Sequence, residues 1–285
     1  MGAPMAGHLA RAGHKVTAYN RTAEKAAAWL EKHRAEGLDV ASAPSPAEAA
    51  SEQDVIITCV GNDNDLTQVL LGHGGALAAM RAGTLFIDHT TVSPAAARRI
   101  ADAATARGVL AVDAPVSGGQ AGAENGKLSV MCGGSEDALA AARPVMEAYS
   151  ARIVHVGGDG AGQVTKAVNQ ICIAGLLAGL SEGVRFAQGA GLDMKKVLEA
   201  ISGGAAQSWQ MENRWETMAK DEFDFGFAVD WMRKDLAIAL GEAEAVGLDL
   251  PVTRLVDGWY GEVQQMGGAR QDTSALIRHL PKAKD

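Results

Sequence analysis

Two hydrophobic periodicities alternate along the first half of the chain. Residues 4–12 place apolar side chains at helical spacing and stop at Gly13, and "KVTAYN" (15–20) then reads as a strand. The pair repeats. Thr22 stands as an N-cap before an Ala-, Glu- and Lys-rich helix through Glu36, and a short extended piece follows near 39–43. Residues 45–50 read as a helix with proline near its start, and "DVIITCV" (54–60) is apolar on both faces, as a buried parallel strand should be. A helix near 65–71, the strand "GTLFIDHT" (83–90), a helix opened by Ser93-Pro94 and running through Arg107, and the strand "GVLAVDAPV" (108–116) continue the rhythm. "KLSVMCGG" (127–134) and "RIVHVG" (152–157) add strands at its end. After Gly162 only helical patterns remain, over 163–190, 194–202, 208–218, 229–246 and 251–265. The pattern predicts an α/β domain over 1–160, with a doubly wound and mostly parallel sheet. A long helix joins it to an all-α domain over 161–285.

Composition sharpens this picture at a few points. The chain has 285 residues, 47 % of them hydrophobic, enough for two ordinary cores. Aromatics are only 5 %, so close packing of small side chains is expected. A net charge of −8 excludes a generic binder of phosphate backbones, and so nucleic acid as a partner, while leaving room for a local cationic pocket. Cys59, Cys132 and Cys172 form no CxxC pair. They fit a reducing cytoplasm and read as small buried hydrophobes. The histidines show no ligand spacing, so no metal site is expected. No targeting pattern opens the chain, and the longest apolar run, 171–180, is about half a membrane span. A soluble cytoplasmic protein without a membrane partner is expected.

"MGAPMA" carries half of a motif. A dinucleotide fold needs a strand, a G-x-G-x-x-G turn, and a helix whose first amides face a pyrophosphate. Gly2 sits where the third glycine belongs, while the first strand and the first two glycines do not appear in the chain. At the end of the next strand, a site for an unphosphorylated ribose places Asp or Glu. Here the residues are Asn20-Arg21-Thr22. No carboxylate repels a 2′-phosphate, Arg21 can fork onto one, and Thr22 and its neighbours can donate to it, which favours NADP over NAD. An ordinary turn with a helix cap explains Thr22 equally well.

"GAGQVTKAVNQ" (160–170) raises a different question. Lys166 stands at the head of a mostly apolar helix, with Asn169 and Gln170 three and four positions on and so on its face. A solvated first-turn lysine is one reading, and a catalytic acid is the other.

Taken in order, "MGAPMA", "YNRT", "DHTTVSP" (88–94), "DAPVSGGQAGAENGKLSVMCGG" (113–134), "GAGQVTKAVNQ" and "KDLAIAL" (234–240) closely resemble the β-hydroxyacid dehydrogenase family, the 3-hydroxyisobutyrate dehydrogenases and tartronate semialdehyde reductases. The resemblance spans nearly the whole chain. It implies reversible hydride transfer between NAD(P)(H) and a small 3-hydroxy acid or its semialdehyde, at the carboxyl ends of the strands. It makes Lys166 the catalytic acid and base, with burial lowering its pKa. Ser117, Gly118 and Gly119 would hold the substrate, since glycines past a strand end expose amides to a carboxylate. Asn169 would orient substrate or lysine. Gln170 stands where many members carry a second Asn. Thr91, Val60, Gly61 and Asp65 match cofactor-contacting positions, with Gly61 replacing the usual proline, and Lys234 matches a lysine that reaches the cofactor. A homodimer or homotetramer built through the helices is implied. Ser208 and Phe227 receive no chemistry. Trp209, Trp215 and Trp231 read as helix packing, 222–224 as a solvated loop, and His89 as a weaker candidate acid than Lys166. Two rivals stand beside this reading: an imine reductase, whose relatives typically lack the lysine, and a catalytically inactive binding protein.

Overall fold

A helix opens the chain: α1 (Gly2–Arg11) buries Met5, Leu9 and Ala10. In the computed structural model, which describes residues 1–282, it is followed by β1 (Val16–Ala18), α2 (Ala23–Ala35), β2 (Val40–Ser42), α3 (Pro46–Ala50), β3 (Val55–Thr58), α4 (Asp63–Leu71), α5 (Ala76–Ala79) and β4 (Leu85–Asp88). Then come α6 (Pro94–Thr105), β5 (Leu110–Asp113), β6 (Val116–Ser117), α7 (Gly119–Glu124), β7 (Leu128–Gly134), α8 (Glu136–Met146) and β8 (Ser150–Gly157). Local chemistry sets several boundaries. Ser45, Asn62, Ser93 and Ser135 each accept a first-turn N–H of the helix that follows. Thr22 occupies the N-cap position of α2, but its side chain makes no capping bond.

Strands and helices alternate as the periodicity predicts, and the mostly parallel sheet is present in two hydrogen-bonded pieces. Among the described residues β1 and β2 form a parallel two-stranded sheet of their own. The other strands form a six-stranded sheet in the order β3-β4-β5-β7-β6, with β8 beside β7. β3, β4 and β5 are parallel neighbours. The run 108–116 is two strands, because Pro115 has no N–H to donate and closes the β5 ladder. β6 then pairs antiparallel with β7, which is also antiparallel to β5. Three helices lie where the pattern shows none, α5, α7 and α8. The first two (ALAA, GQAGAE) are mostly alanine and glycine, and the third (EDALAAARPVM) draws much of its apolar content from alanine, which gives a faint periodicity.

β4 is buried along its whole length and serves two cores, as alternating side chains require. Phe86 packs with Leu66, Leu70, Leu77 and Ile100. Leu85 and Ile87 pack with Val112, Leu128, Val130, Met146 and, from α1, Met5.

The chain divides into two compact units, Met1–Lys166 and Ala167–Asp285. The helix α9 (Ala161–Gly189) begins in the first and continues in the second, followed by α10 (Met194–Ile201), α11 (Trp209–Lys220), α12 (Val229–Ala245), α13 (Pro251–Gln265) and a 3-10 turn over Thr273–His279. The second unit closes around Leu177, Val184, Trp215, Met232, Leu236 and Tyr260. By length and composition alone α9 could cross a membrane, but Ala174, Leu177, Leu180 and Val184 on it are core residues of this helical unit. Two packing expectations change. Cys132 is buried, but Cys59 is half-buried and Cys172 exposed. Trp215 is buried, whereas Trp209 is exposed and stacks on the Arg214 guanidinium at 4.9 Å.

Candidate active site

The carboxyl ends of β3, β4 and β5 are tied together by side chains. Thr58 Oγ1 donates to Asp88 Oδ1 at 2.7 Å, and the Thr90 N–H donates to the same oxygen at 3.0 Å. Thr90 Oγ1 accepts the Val60 N–H, and the Asp63 carboxylate accepts the N–H and hydroxyl of Ser93. The buried amide of Gln163, in the first turn of α9, spans the loop after β4. Its Oε1 accepts the Val92 N–H at 3.1 Å and its Nε2 donates to the Thr90 carbonyl at 2.8 Å. Thr91 is thus half-buried between two fixed neighbours.

Lys166 follows Gln163 by three residues. It is 8 % exposed, and its Nζ donates to the Val116 carbonyl at 2.9 Å. Val116 immediately precedes Ser117, Gly118 and Gly119. Gly118 and Gly119 take φ of +126° and +62°, a conformation that favours glycine, and turn the chain from β6 into α7. The sequence-predicted lysine and the sequence-predicted substrate loop therefore meet through one main-chain carbonyl. Few lysines are this buried, because the four-carbon stem normally carries the ammonium to water.

Further along α9 the expected substrate-binding amides are committed to protein partners. Asn169 Nδ2 donates to Gln170 Oε1 at 2.8 Å, and Gln170 Nε2 donates to Asp235 Oδ2 at 2.7 Å. Lys234 Nζ lies 3.1 Å from the other Asp235 oxygen. Gln170 and Asp235 are both buried. Gln170 thus links Asn169 to α12 through its two ends.

At the other end of the first unit, Gly2 begins α1 close to Cys59; a Cβ on it would lie 3.3 Å from Cys59 Cβ. No side chain caps the first turn of α1 or of α2. Asn20 Oδ1 accepts the Thr22 N–H at 2.9 Å. The exposed Arg21 guanidinium rests on Asp65 at 2.8 Å, which joins two of the expected cofactor contacts across the ends of β1 and β3. Val60 has its N–H on Thr90, and Gly61 follows it. Uncapped amides, and an exposed arginine at the end of β1 where the sequence has no glutamate or aspartate, suit the phosphates of a dinucleotide, Arg21 exchanging its Asp65 partner for the ligand.

His89 is sealed in the core. Nδ1–H donates to the Ala114 carbonyl at 2.6 Å, which leaves Nε2 to accept from the Tyr149 hydroxyl at 2.9 Å. Burial pushes its pKa down to about 4, against the raising effect of the Ala114 bond. The neutral ring is a wedge between β4 and the chain after β5. Its titration has a sign. Between about 6.5 and about 4 the unfolded chain takes up a proton that the folded imidazole refuses, so the stability His89 provides at neutral pH is lost as pH falls through that window. The shift corresponds to roughly 3 kcal/mol. In urea unfolding, His89→Gln should therefore gain on the wild type by about that amount from neutral pH to pH 4. A gap that does not change with pH would mean that the ring is charged in the native state.

Two residues of this architecture were not legible as site residues, Asp113 and Gln163. Both bind main-chain groups, and a carboxylate closing an apolar strand is the one signal the sequence offers for the first.

Known proteins resemble this chain over nearly its whole length. Residues 1–157 match the family model described as the NAD binding domain of 6-phosphogluconate dehydrogenase. Residues 160–280 match the NAD-binding domain of NADP-dependent 3-hydroxyisobutyrate dehydrogenase. The chain is 55 % identical to an uncharacterized oxidoreductase of Shewanella frigidimarina over 284 residues, covering 100 % of this chain and 96 % of the relative. It is 35 % identical to the 3-hydroxyisobutyrate dehydrogenase of Pseudomonas aeruginosa, covering 100 % and 96 %. The solved Mycobacterium tuberculosis 3-hydroxyisobutyrate dehydrogenase with L-serine superposes with a TM-score of 0.85 at 33 % identity, covering 98 % and 94 %. An imine reductase from Pseudomonas sp. shares the fold at a TM-score of 0.60 and 19 % identity.

Proposed function

The chain belongs to the β-hydroxyacid dehydrogenase family, and on that premise we propose that it interconverts a small 3-hydroxy acid and its semialdehyde with NADP(H), Lys166 acting as acid and base. A nicotinamide dinucleotide held by the first unit would supply hydride-transfer chemistry. In reduction, the Lys166 ammonium stabilises the negative charge growing on the carbonyl oxygen and gives it a proton. In oxidation the neutral amine takes the hydroxyl proton. The observation that supports this most is the buried Nζ on the Val116 carbonyl, at the entry to Ser117, Gly118 and Gly119. Those residues would bind the acid's carboxylate. Asn169 would hold the substrate, with Gln170 steadying it from Asp235 rather than touching the substrate itself. Gly2, Asn20, Arg21, Thr22, Val60, Gly61, Asp65, Thr91 and Lys234 would hold the dinucleotide.

The proposed substrate class follows from 3-hydroxyisobutyrate and L-serine, named with two of the relatives, which are both acids with a hydroxyl on the third carbon. A panel of such acids and semialdehydes, run with both NADP(H) and NAD(H), tests it; turnover of none with either would end the reading. NADP preference rests on Arg21. Arg21→Ala should weaken NADP+ binding about tenfold or more and leave NAD+ within about threefold, since a lost charge-assisted bond costs about 1.5–3 kcal/mol. Equal weakening for both dinucleotides in a fluorescence titration would remove Arg21 from the 2′-phosphate. The protein is proposed to be cytoplasmic and to assemble as a homodimer or homotetramer through its helical unit, which light scattering after size exclusion would measure.

A further inference from the structure

Asp113 closes β5, and the proposed reaction makes no use of it. Its carboxylate faces the start of α9: Oδ1 accepts the Gly160 N–H at 2.8 Å, and Oδ2 accepts the Gln163 N–H at 2.9 Å. Glycines make the seat. A Cβ on Gly133 would collide with Oδ1. One on Gly162 would stand 2.7 Å from Oδ2 and 2.6 Å from the Asp113 carbonyl. Gly160 takes φ of +86° to enter the helix. First-turn amides have no partner within their own helix, so a carboxylate on two of them, at the positive end of the helix dipole, decides where that turn sits. Lys166 comes three residues after Gln163, with its ammonium on the carbonyl of Val116, itself three residues past Asp113.

We propose that Asp113 is a positioning residue: it anchors the first turn of α9 on β5 and so sets where the Lys166 ammonium stands, without touching substrate or cofactor. This rests on the reading of Lys166 as acid and base. Displacing a reacting group by about 1 Å is enough to cost a hundredfold in rate.

Burial raises Asp113 to about 6, with the charges of Asp88 and Asp159 adding and the two N–H bonds opposing. Protonation turns one acceptor oxygen into a donor aimed at an N–H, which loosens the anchor. The surrounding groups are few. Asp88 faces Asp113 across the β4–β5 register. Cys132 on β7 is pushed up to about 12 and so neutral, with Arg143 of α8 acting on it. Asp159 precedes α9, Arg98 of α6 reaches within 3.1 Å of where a side chain on Gly160 would begin, and Lys166 itself lies one turn on. His89, beside Asp88, is neutral above about 4.

The test uses Asp113→Asn, which keeps the size and loses one acceptor. With the hydroxy acid turned over best, kcat should fall at least about tenfold while KM and NADPH binding stay within about threefold. In the reduction direction, where Lys166 acts as the ammonium, the wild-type fall of kcat below about pH 6 should vanish in the variant. A second readout needs no turnover: labelling of Lys166 by a small amine-reactive ester, read by peptide mass spectrometry against the exposed Lys32. The Lys166-to-Lys32 ratio should rise at least about fivefold in the variant. Asp113→Glu, which keeps the charge but displaces the carboxylate, should raise the ratio at the same fixed pH and decides the matter if the asparagine variant does not fold. A ratio that stays at the wild-type value in both variants overturns the proposal, whatever the turnover. Lys166→Ala separates the two readings. If that variant keeps its turnover, the function of Lys166 fails. If it is inactive while Asp113→Asn shows wild-type turnover and labelling, only the positioning role fails.

Discussion

Lys166→Ala is expected to lower kcat by about 10²–10⁴-fold, the usual share of a general acid and base, with NADPH binding and the unfolding midpoint little changed. The size follows from the position of the side chain. Its ammonium sits 2.9 Å from a main-chain carbonyl on a residue that is only 8 % exposed, so water does not readily take its place. In such surroundings a positive group opposite a developing oxyanion is worth far more than in solvent. Alanine removes both the charge and the proton. The carbonyl of Val116 loses a donor, a cost of about 1 kcal/mol or somewhat more, and relief from desolvating the ammonium offsets part of it. Turnover should therefore suffer more than stability. Steady-state kinetics and a urea titration on the same preparation measure the two effects side by side.

Asp272→Ala is expected to destabilise the helical unit by about 3–5 kcal/mol, the cost of removing one partner of a buried ion pair. Asp272 is 1 % exposed and lies at the start of the 3-10 turn. It accepts from Arg214 Nε at 2.9 Å, from the Phe227 N–H at 3.0 Å, and from both the N–H and the hydroxyl of Ser274 at 3.0 and 2.6 Å. Arg214 is itself covered by Trp209 and Phe225, each 4.9 Å away, and would keep its charge with its main partner gone. The turn at Gly226 (φ +73°) is shaped around the same carboxylate, since a Cβ there would collide with it. The loss approaches the whole stability of an ordinary domain, about 5–15 kcal/mol. Urea unfolding followed by tryptophan fluorescence should show the midpoint falling sharply. A midpoint within error of the wild type would mean that Arg214 finds another acceptor. Asp272→Asn, which keeps one acceptor oxygen, should fall between the two.

The class of fold was legible because large apolar residues mark β3 and β4 and the long helices clearly. Pro251 and Pro94, each the first residue of its helix, fixed the starts of α13 and α6 by the geometry of the proline ring. Alanine carries little periodic signal, so α5, α7 and α8 were not legible. Nor was the division of the sheet, because hydrogen bonding between strands distant in sequence leaves no local trace. The site was legible unevenly. Lys166 and the glycine turn at Gly118 and Gly119 stand out, because a lone cation in an apolar helix and paired glycines after a strand are departures from the surrounding pattern. The partners that hold them do not. Gln163 is an ordinary helix residue until its amide is seen spanning Thr90 and Val92. The partner of Gln170, Asp235, lies 65 positions away and leaves no trace beside it in the sequence.

The most direct measurement of the role given to Lys166 is single-turnover reduction of a semialdehyde, followed by nicotinamide absorbance across neutral and alkaline pH in wild type and Lys166→Met. The wild-type rate should fall as one group loses its proton, and the methionine protein, matched in bulk but without a proton to give, should be slow and flat. A methionine variant that reacts at the wild-type rate with the same pH dependence would contradict the assignment outright.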